Sequence, residues 1–318
     1  MKLIIVKTAT YLSLFLPFIS NSTPPNIDKA KVINIEAPLK NHISFNTFES
    51  LSSNEDGLVF NNDINSNSNL NNKAAKLIFA EVTGNEESQL QGVLGIKGQR
   101  ANLVIANPNG ISWKNGITNN INSLSLVAGK FERQYIKNKE KDNQLEPKKL
   151  EDYSQLKFST QPDSLVTITQ QQGNPILLSK MNVFADQIKL QNTLNINAAI
   201  QNYISASGIG TLSPSEAVIK YSSKFKTDIP YIQGNQFELD EQAKLTGRNI
   251  TLESHQYQCQ DNFLCPQNKI DIKGLISAMS LSVRGDGDIM LSDKGAIKIG
   301  KNQQILIAQP PSNTNLTK

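Results

Sequence analysis

Residues 88–130 read SQLQGVLGIKGQRANLVIANPNGISWKNGITNNINSLSLVAGK, and short apolar runs recur within them. Leu94/Ile96, Leu103/Ile105 and Leu124/Leu126 are apolar pairs two residues apart, the spacing that puts both side chains on one face of a β-strand. Between the second and third pairs, Asn107-Pro108-Asn109-Gly110-Ile111 has the chemistry of a turn. Pro108 fixes one dihedral, Gly110 permits a positive one, and the two asparagines can bond neighbouring main chain before a new strand starts at Ile111. No helical period intervenes.

The same rhythm extends outward from this stretch. Leu77/Phe79 precedes it, and Ile188/Leu190, Leu194/Ile196, Ile250/Leu252, Ile270/Ile272, Leu281/Val283, Ile289/Leu291 and Ile297/Ile299 follow it, separated by Gly, Asn and Asp. Short strands with turns between them predict an all-β fold. The quasi-repeated phrases LTGRNITLES, IDIKGLISAMSLSV and GDIMLSDKGAIKI favour a parallel β-helix, a solenoid with aliphatic columns inside and Asn, Ser and Thr at its corners. A sandwich or a mixed fold also accommodates the imperfect repeat. Asparagine is abundant, with 36 in all and 16 between Asn54 and Asn122, which points to turns rather than helices. Aromatic residues make up only 6% of the chain, so Ile, Leu and Val are expected to fill the interior.

The length of 318 residues and 38% hydrophobic content fit one long domain or two ordinary ones; they exclude wholesale disorder, collagen and a polytopic membrane protein. A formal charge of +4 supports no nucleic-acid partner. The densest charge run, KNKEKDNQLEPKKLED at 137–152, carries both signs and is expected to be a solvated insertion or loop. At the amino terminus, Met1, Lys2 and Lys7 precede a short apolar stretch from Ala9 to Ile19, with small residues Ser20 and Ser22 at a cleavage position, so 1–22 reads as a signal peptide. A buried first strand is the competing interpretation. Cys259 and Cys265 are the only cysteines, and in an exported chain they suggest a small disulfide loop, with two free thiols as the alternative.

Several motifs in order carry a resemblance to a known family. Asn107-Pro108-Asn109-Gly110-Ile111 follows Arg100-Ala101 and the run Leu103 to Ala106; upstream, Asn67-Ser68-Asn69-Leu70 precedes KLIFAEVTG at 76–84, and FNTF at 45–48 and GLVFNN at 57–62 open the series. The set resembles the amino-terminal secretion domain of two-partner secretion exoproteins, the family of filamentous haemagglutinins, large cytolysins and contact-dependent inhibition proteins. In that family the motifs are NPNGI and NPNL, so Ser68 is a departure. Trp113 and Gly116 stand near the places where many cytolysin-like members carry a cysteine pair, which tilts the resemblance toward adhesin-like members or a divergent branch.

The resemblance implies a right-handed parallel β-helix (solenoid) with an amino-terminal cap and short antiparallel extra-helical strands. It divides the chain into a secretion-domain core at 30–136, the charged insertion at 137–152, a β-helix continuation at 153–305 and a flexible tail at 306–318. The implied partner is a cognate outer-membrane transporter with periplasmic domains and a barrel, and the implied destination is the cell surface or the medium after transit through the periplasm. A short adhesin or haemagglutinin-like surface protein, with a host-cell or bacterial receptor, is the first expectation for the whole. A truncated cytolysin or contact-dependent inhibition exoprotein retaining mainly the secretion domain is the second.

No enzyme, cofactor or metal is expected. His42 and His255 are the only histidines and neither has a nucleophile or metal-spaced partner, while Asp163, Asp186, Asp240 and Asp271 read as isolated turn or surface carboxylates. Arg284-Gly285-Asp286 spells an adhesion tripeptide, though it serves equally as a turn between strands ending at Val283 and starting at Ile289. With the leader removed, ~20–25 residues per rung would give about 12 to 14 rungs and a rod of ~60 Å.

Overall fold

The chain winds through successive rungs, each of which adds one strand to each of two parallel sheets. In the computed structural model, residues 27–138, 144–172, 174–224, 234–255, 268–285, 287–300 and 305–308 are described. The first four rungs are β1 (Lys31–Asn34) with β2 (Ile43–Phe48), β3 (Leu58–Asn62) with β4 (Leu77–Val82), β5 (Ser88–Gly98) with β6 (Ala101–Ala106), and β7 (Ile111–Asn119) with β8 (Ile121–Val127). The chain then leaves the stack through β9 (Gly129–Phe131), β10 (Tyr135–Asn138), β11 (Gln144–Pro147) and β12 (Leu156–Thr160). It returns as β13 (Leu165–Gln170) with β14 (Ile176–Ala185) and β15 (Gln187–Asn192) with β16 (Asn195–Ala206), and makes a second excursion through β17 (Gly208–Ser213) and β18 (Val218–Lys224). Three rungs close the stack: β19 (Gln236–Leu239) with β20 (Lys244–His255), β21 (Lys269–Ile272) with β22 (Leu275–Gly285), and β23 (Asp288–Leu291) with β24 (Ala296–Ile299) and β25 (Ile305–Ala308). Parallel strands joined by crossovers of this kind make a right-handed β-helix.

Inside the bore, apolar side chains align by register. Ile78, Leu103, Leu124 and Met181 form one column, while Ile111, Val166, Ile188, Phe237 and Ile270 form another. Nearly all the apolar pairs picked out by their alternation face this interior, because period two sends one set of side chains inward. Leu77/Phe79 differs. Ile78 and Ala80 occupy the bore, and Leu77 and Phe79 point outward into a second core.

That second core corrects the expectation of an aliphatic interior. The two excursions form an antiparallel sheet in the order β18-β17-β12-β9, laid on the outer face of the β2–β16 sheet. Phe79 meets Phe131 at 5.0 Å and Phe158 at 5.9 Å between ring centroids, and Tyr153 adds a further ring at 5.5 Å from Phe131. Aromatic residues are few in the chain but concentrated here, where ring edges can meet ring faces.

The count of rungs is also lower than expected. Among the described residues each sheet path holds nine strands, or nine rungs spanning ~40 Å at ~4.8 Å per rung, because the excursions draw residues out of the stack. The charged segment contains part of an antiparallel hairpin, β10–β11, followed by one 3-10 turn at Leu150–Asp152. The stack resumes at Leu165 rather than at 153, and β25 runs into the first residues of the segment assigned to the tail. At the amino-terminal end, the chain between β1 and β2 folds back along the β2 edge: Asn46 Oδ1 accepts the Glu36 N–H at 2.8 Å and Ser44 Oγ donates to the Glu36 carbonyl at 2.7 Å. The leader 1–22, Cys259, Cys265 and Asp286 lie outside the described residues.

Candidate secretion-motif site

Asn107 follows β6 and turns the chain into β7, and its side chain is fully buried. Its Oδ1 accepts the Asn109 N–H at 2.9 Å, which closes the turn from within; its Nδ2 donates to the Glu86 carbonyl and to Ser88 Oγ, both at 2.9 Å. The Asn107 N–H reaches the Val127 carbonyl one rung further on, and the Gly110 N–H returns to the Asn107 carbonyl. Asn109 adds a bond from Nδ2 to the Gly84 carbonyl at 2.7 Å. One corner of the helix is thereby tied to the corner below it. Gly110 adopts φ +105°, and a Cβ there would lie 3.0 Å from the Leu165 carbonyl oxygen of the rung above. Pro108 is half-buried, Asn109 is exposed, and Asn107, Gly110 and Ile111 are buried. A partner approaching the folded motif meets only Asn109 and one side of Pro108.

Asn67 repeats this device at a different corner. It caps the 3-10 turn Ser68–Leu70, accepting the Asn69 N–H at 3.1 Å, and donates through Nδ2 to the carbonyls of Ile35 at 3.0 Å and Asn61 at 2.8 Å. Leu70 is buried in the bore, while Ser68 and Asn69 are exposed. Asn62, which the motif pattern did not single out, clamps the same loop: its amide bonds Ala75 from both sides and the Gln99 carbonyl at 2.8 Å. The two motifs sit at separate corners, Asn67 between β3 and β4 and Asn107 between β6 and β7.

Trp113 packs inside the bore, 1% exposed, with Nε1 donating to the Gly92 carbonyl at 3.1 Å. Gly116 lies beneath its ring, and a Cβ there would come within 2.6 Å of the indole. The pair standing near the cysteine positions is thus a ring and the gap that receives it.

A polar ladder runs up another corner, at the entry to successive strands of the β1–β23 sheet. Ser164 Oγ accepts the Asp186 N–H at 3.0 Å, Ser207 Oγ donates to Asp186 Oδ1 at 2.7 Å, the Asp163 N–H donates to Oδ2 at 2.8 Å, and the Asn235 amide also reaches Oδ1. Asn235 in turn donates its N–H to Asn268 Oδ1 at 3.2 Å. Asp186 is therefore a buried corner residue, not the surface carboxylate its isolation suggests, and Asp271 is buried as well. Burial pushes the Asp186 carboxyl up to about 6, against the hydrogen bonds that favour its charge. Glu81 is likewise raised by burial, although Arg133 bonds it at 2.5 Å and pulls the other way. Arg133 also lies 4.7 Å over the Phe131 ring, so this ion pair fastens the first excursion to the stack.

Arg284 and Gly285 belong to strand β22 rather than to a turn, and the Arg284 guanidinium stands 3.9 Å from Glu253. Among the described residues no group of three or more His, Cys, Asp or Glu side chains is arranged to hold a metal ion.

A parallel β-helix with asparagine-locked corners and an antiparallel sheet laid on one face defines a class of β-helical modules. A family model described as TPS secretion domain matches residues 20–303, and the chain belongs to that family. Filamentous hemagglutinin of Bordetella pertussis (strain Tohama I) is 37% identical over 114 residues, covering 32% of this chain and 3% of that protein. A hemolysin of Serratia marcescens is 36% identical over 111 residues, covering 31% of this chain and 7% of its own length. The crystal structure of a filamentous hemagglutinin secretion domain matches with a TM-score of 0.56 and 19% identity over 91% of this chain and 98% of that one. The chain spans only a few per cent of the length of these two curated relatives. Domains of this family direct export through the periplasm to the cell surface or the medium, and residues 20–303 correspond to that non-catalytic module.

Proposed function

We propose that this chain is the export module of a large two-partner exoprotein of the cytolysin or contact-dependent inhibition type, handed to a cognate outer-membrane transporter by its first rungs. The observation that carries this is the extent of the secretion domain: residues 20–303 belong to it, so the chain supplies export rather than effector chemistry. Equal similarity to a hemagglutinin and to a hemolysin, each over little more than a hundred residues, supports placing the effector outside the shared region. The transporter's periplasmic domains are the partner, and contact falls within residues 60–115, where both asparagine motifs lie.

Two measurements test this. Site-specific crosslinkers at exposed positions such as Asn69 and Asn109 are expected to capture the periplasmic domains during export; contacts confined to residues 160–300 would sink the assignment. Transporter-dependent lysis of red cells or inhibition of neighbouring bacteria by the native exoprotein supports the toxin class. Saturable binding of the mature chain to washed host cells, without lysis or inhibition, would favour the short-adhesin alternative.

A further inference from the structure

The antiparallel sheet stops partway along the stack. Its last strand, β18, sits over β14 and β16, where Asn182 bonds the Ala217 carbonyl and the Ile219 N–H, and among the described residues no strand of that sheet lies over rungs seven and eight. The step between them is a groove of about 500 Å³, within the range of small-ligand clefts. Alternation along the strands sends Tyr203, Leu252 and Val283 into the bore and turns Asn202, Thr251 and Ser282 outward in a single column, one per rung. The next outward column is Ile204, Glu253 and Arg284.

The groove's charges are unevenly engaged. Glu253 is held by His255 at 2.8 Å, and His255 is fixed by stacking on Tyr221 with ring centroids 4.0 Å apart and planes 6° apart. Arg284 meets Glu253 only at 3.9 Å and is 54% exposed; Lys220 on the groove wall is 70% exposed and touches Glu216 at 3.3 Å. Exposed pairs at such distances hold their charges weakly, so two cations face the cleft against one carboxylate already bridged by histidine. Ser282 Oγ is buried in the floor without a partner among the described residues, and a buried hydroxyl of that kind calls for a hydrogen-bonding ligand.

We propose that this groove binds an acidic saccharide chain. Amide and hydroxyl groups repeating at ~4.8 Å along the solenoid suit a polymer whose own hydroxyls recur unit by unit, and Arg284 with Lys220 supplies the countercharge. An acidic peptide fits less well. It would need to pair with β18, whose register breaks at a bulge opposite Ile209 and Gly210, a feature that opposes an added strand. Glu253 is the only carboxylate among the described lining residues, and one carboxylate does not make the pair that glycoside hydrolysis requires. The inference is independent of which effector the exoprotein carries and of the transporter.

Calorimetric titration of the purified full chain tests it, with a heparin hexasaccharide, a galacturonate hexamer, the methyl ester of that hexamer and a hexaglutamate peptide as probes. Saturable binding of at least one acidic hexasaccharide is expected, with the sulfated and carboxylated probes distinguishing the acid group, and with the neutral ester at least tenfold weaker. Arg284→Gln is expected to weaken binding at least tenfold and Ser282→Ala at least threefold, while Lys97→Gln on another face leaves it unchanged. Lys220→Gln, at an exposed site, carries the test if Ser282→Ala impairs folding. No saturable binding of either acidic sugar, unchanged affinity in both Arg284→Gln and Lys220→Gln, or equal affinity for hexaglutamate would overturn the proposal.

Discussion

Asn107 uses both ends of its amide inside a sealed corner, and that is why alanine cannot replace it. Removing the side chain leaves the Glu86 carbonyl, Ser88 Oγ and the Asn109 N–H without the partner that Asn107 provides. Asn107→Ala is expected to destabilise the fold by ~2–4 kcal/mol, read as a lower urea midpoint with unchanged slope. A second prediction concerns the single tryptophan: Gly116→Ala pushes a methyl into the Trp113 ring, costing ~1–3 kcal/mol and shifting tryptophan emission to the red in the folded state. An unshifted spectrum would show that the ring has room to move. At this scale the turn chemistry of NPNGI was legible because Pro fixes a dihedral and Gly permits a positive one, both local effects. The burial of Asn107 was not, since it depends on Glu86, Ser88 and Val127, which only stacking brings near.

Corners and clamps are the next scale, and the Asp186 ladder gives the fold a pH dependence of known sign. Its carboxyl titrates at about 6 in the fold and near 3.8 when exposed, so the folded chain holds the proton more tightly. The contribution is therefore fully present below pH ~4 and is lost as pH rises through about 6, an effect of ~3 kcal/mol by linkage. Asp186→Asn removes this component, and Asn235 Oδ1, which has no partner among the described residues, can turn to accept the new amide. Urea unfolding at pH 4.5 and 7.5 is expected to show stability falling with pH more steeply in the native chain than in the variant; equal slopes would refute the assignment. At the Glu81–Arg133 clamp, Arg133→Ala is expected to cost ~1–3 kcal/mol by stranding a buried carboxylate, and adding Glu81→Gln to recover part of it. Strands themselves were legible from alternation, which is a property of a single segment. Pairing was not. Ile111 lies beside Val166 across the whole first excursion, and nothing local to either residue encodes that neighbour.

Across the whole molecule, two cores share one sheet. The β2–β16 region is buried on both faces, by the bore and by the aromatic core of Phe79, Phe131 and Phe158, whereas among the described residues rungs seven to nine have the bore alone. Amides of β6, β8 and β14 are accordingly expected to exchange with deuterium at least tenfold more slowly than those of β23, whose side chains are mostly exposed, and β24, whose side chains are mostly half-buried. Uniform protection along the stack would contradict this. The second core also explains why the rung count from length came out high: length divided by period assumes every residue lies in the stack, and the excursions do not. The same asymmetry has a mechanical meaning. If tension is drawn through the carboxy-terminal side, strands at that end peel away one at a time with a single interface to break, while the doubly faced rungs hold as a rigid grip. The module would yield gradually from its thin end, dissipating load rung by rung before its braced half is disturbed.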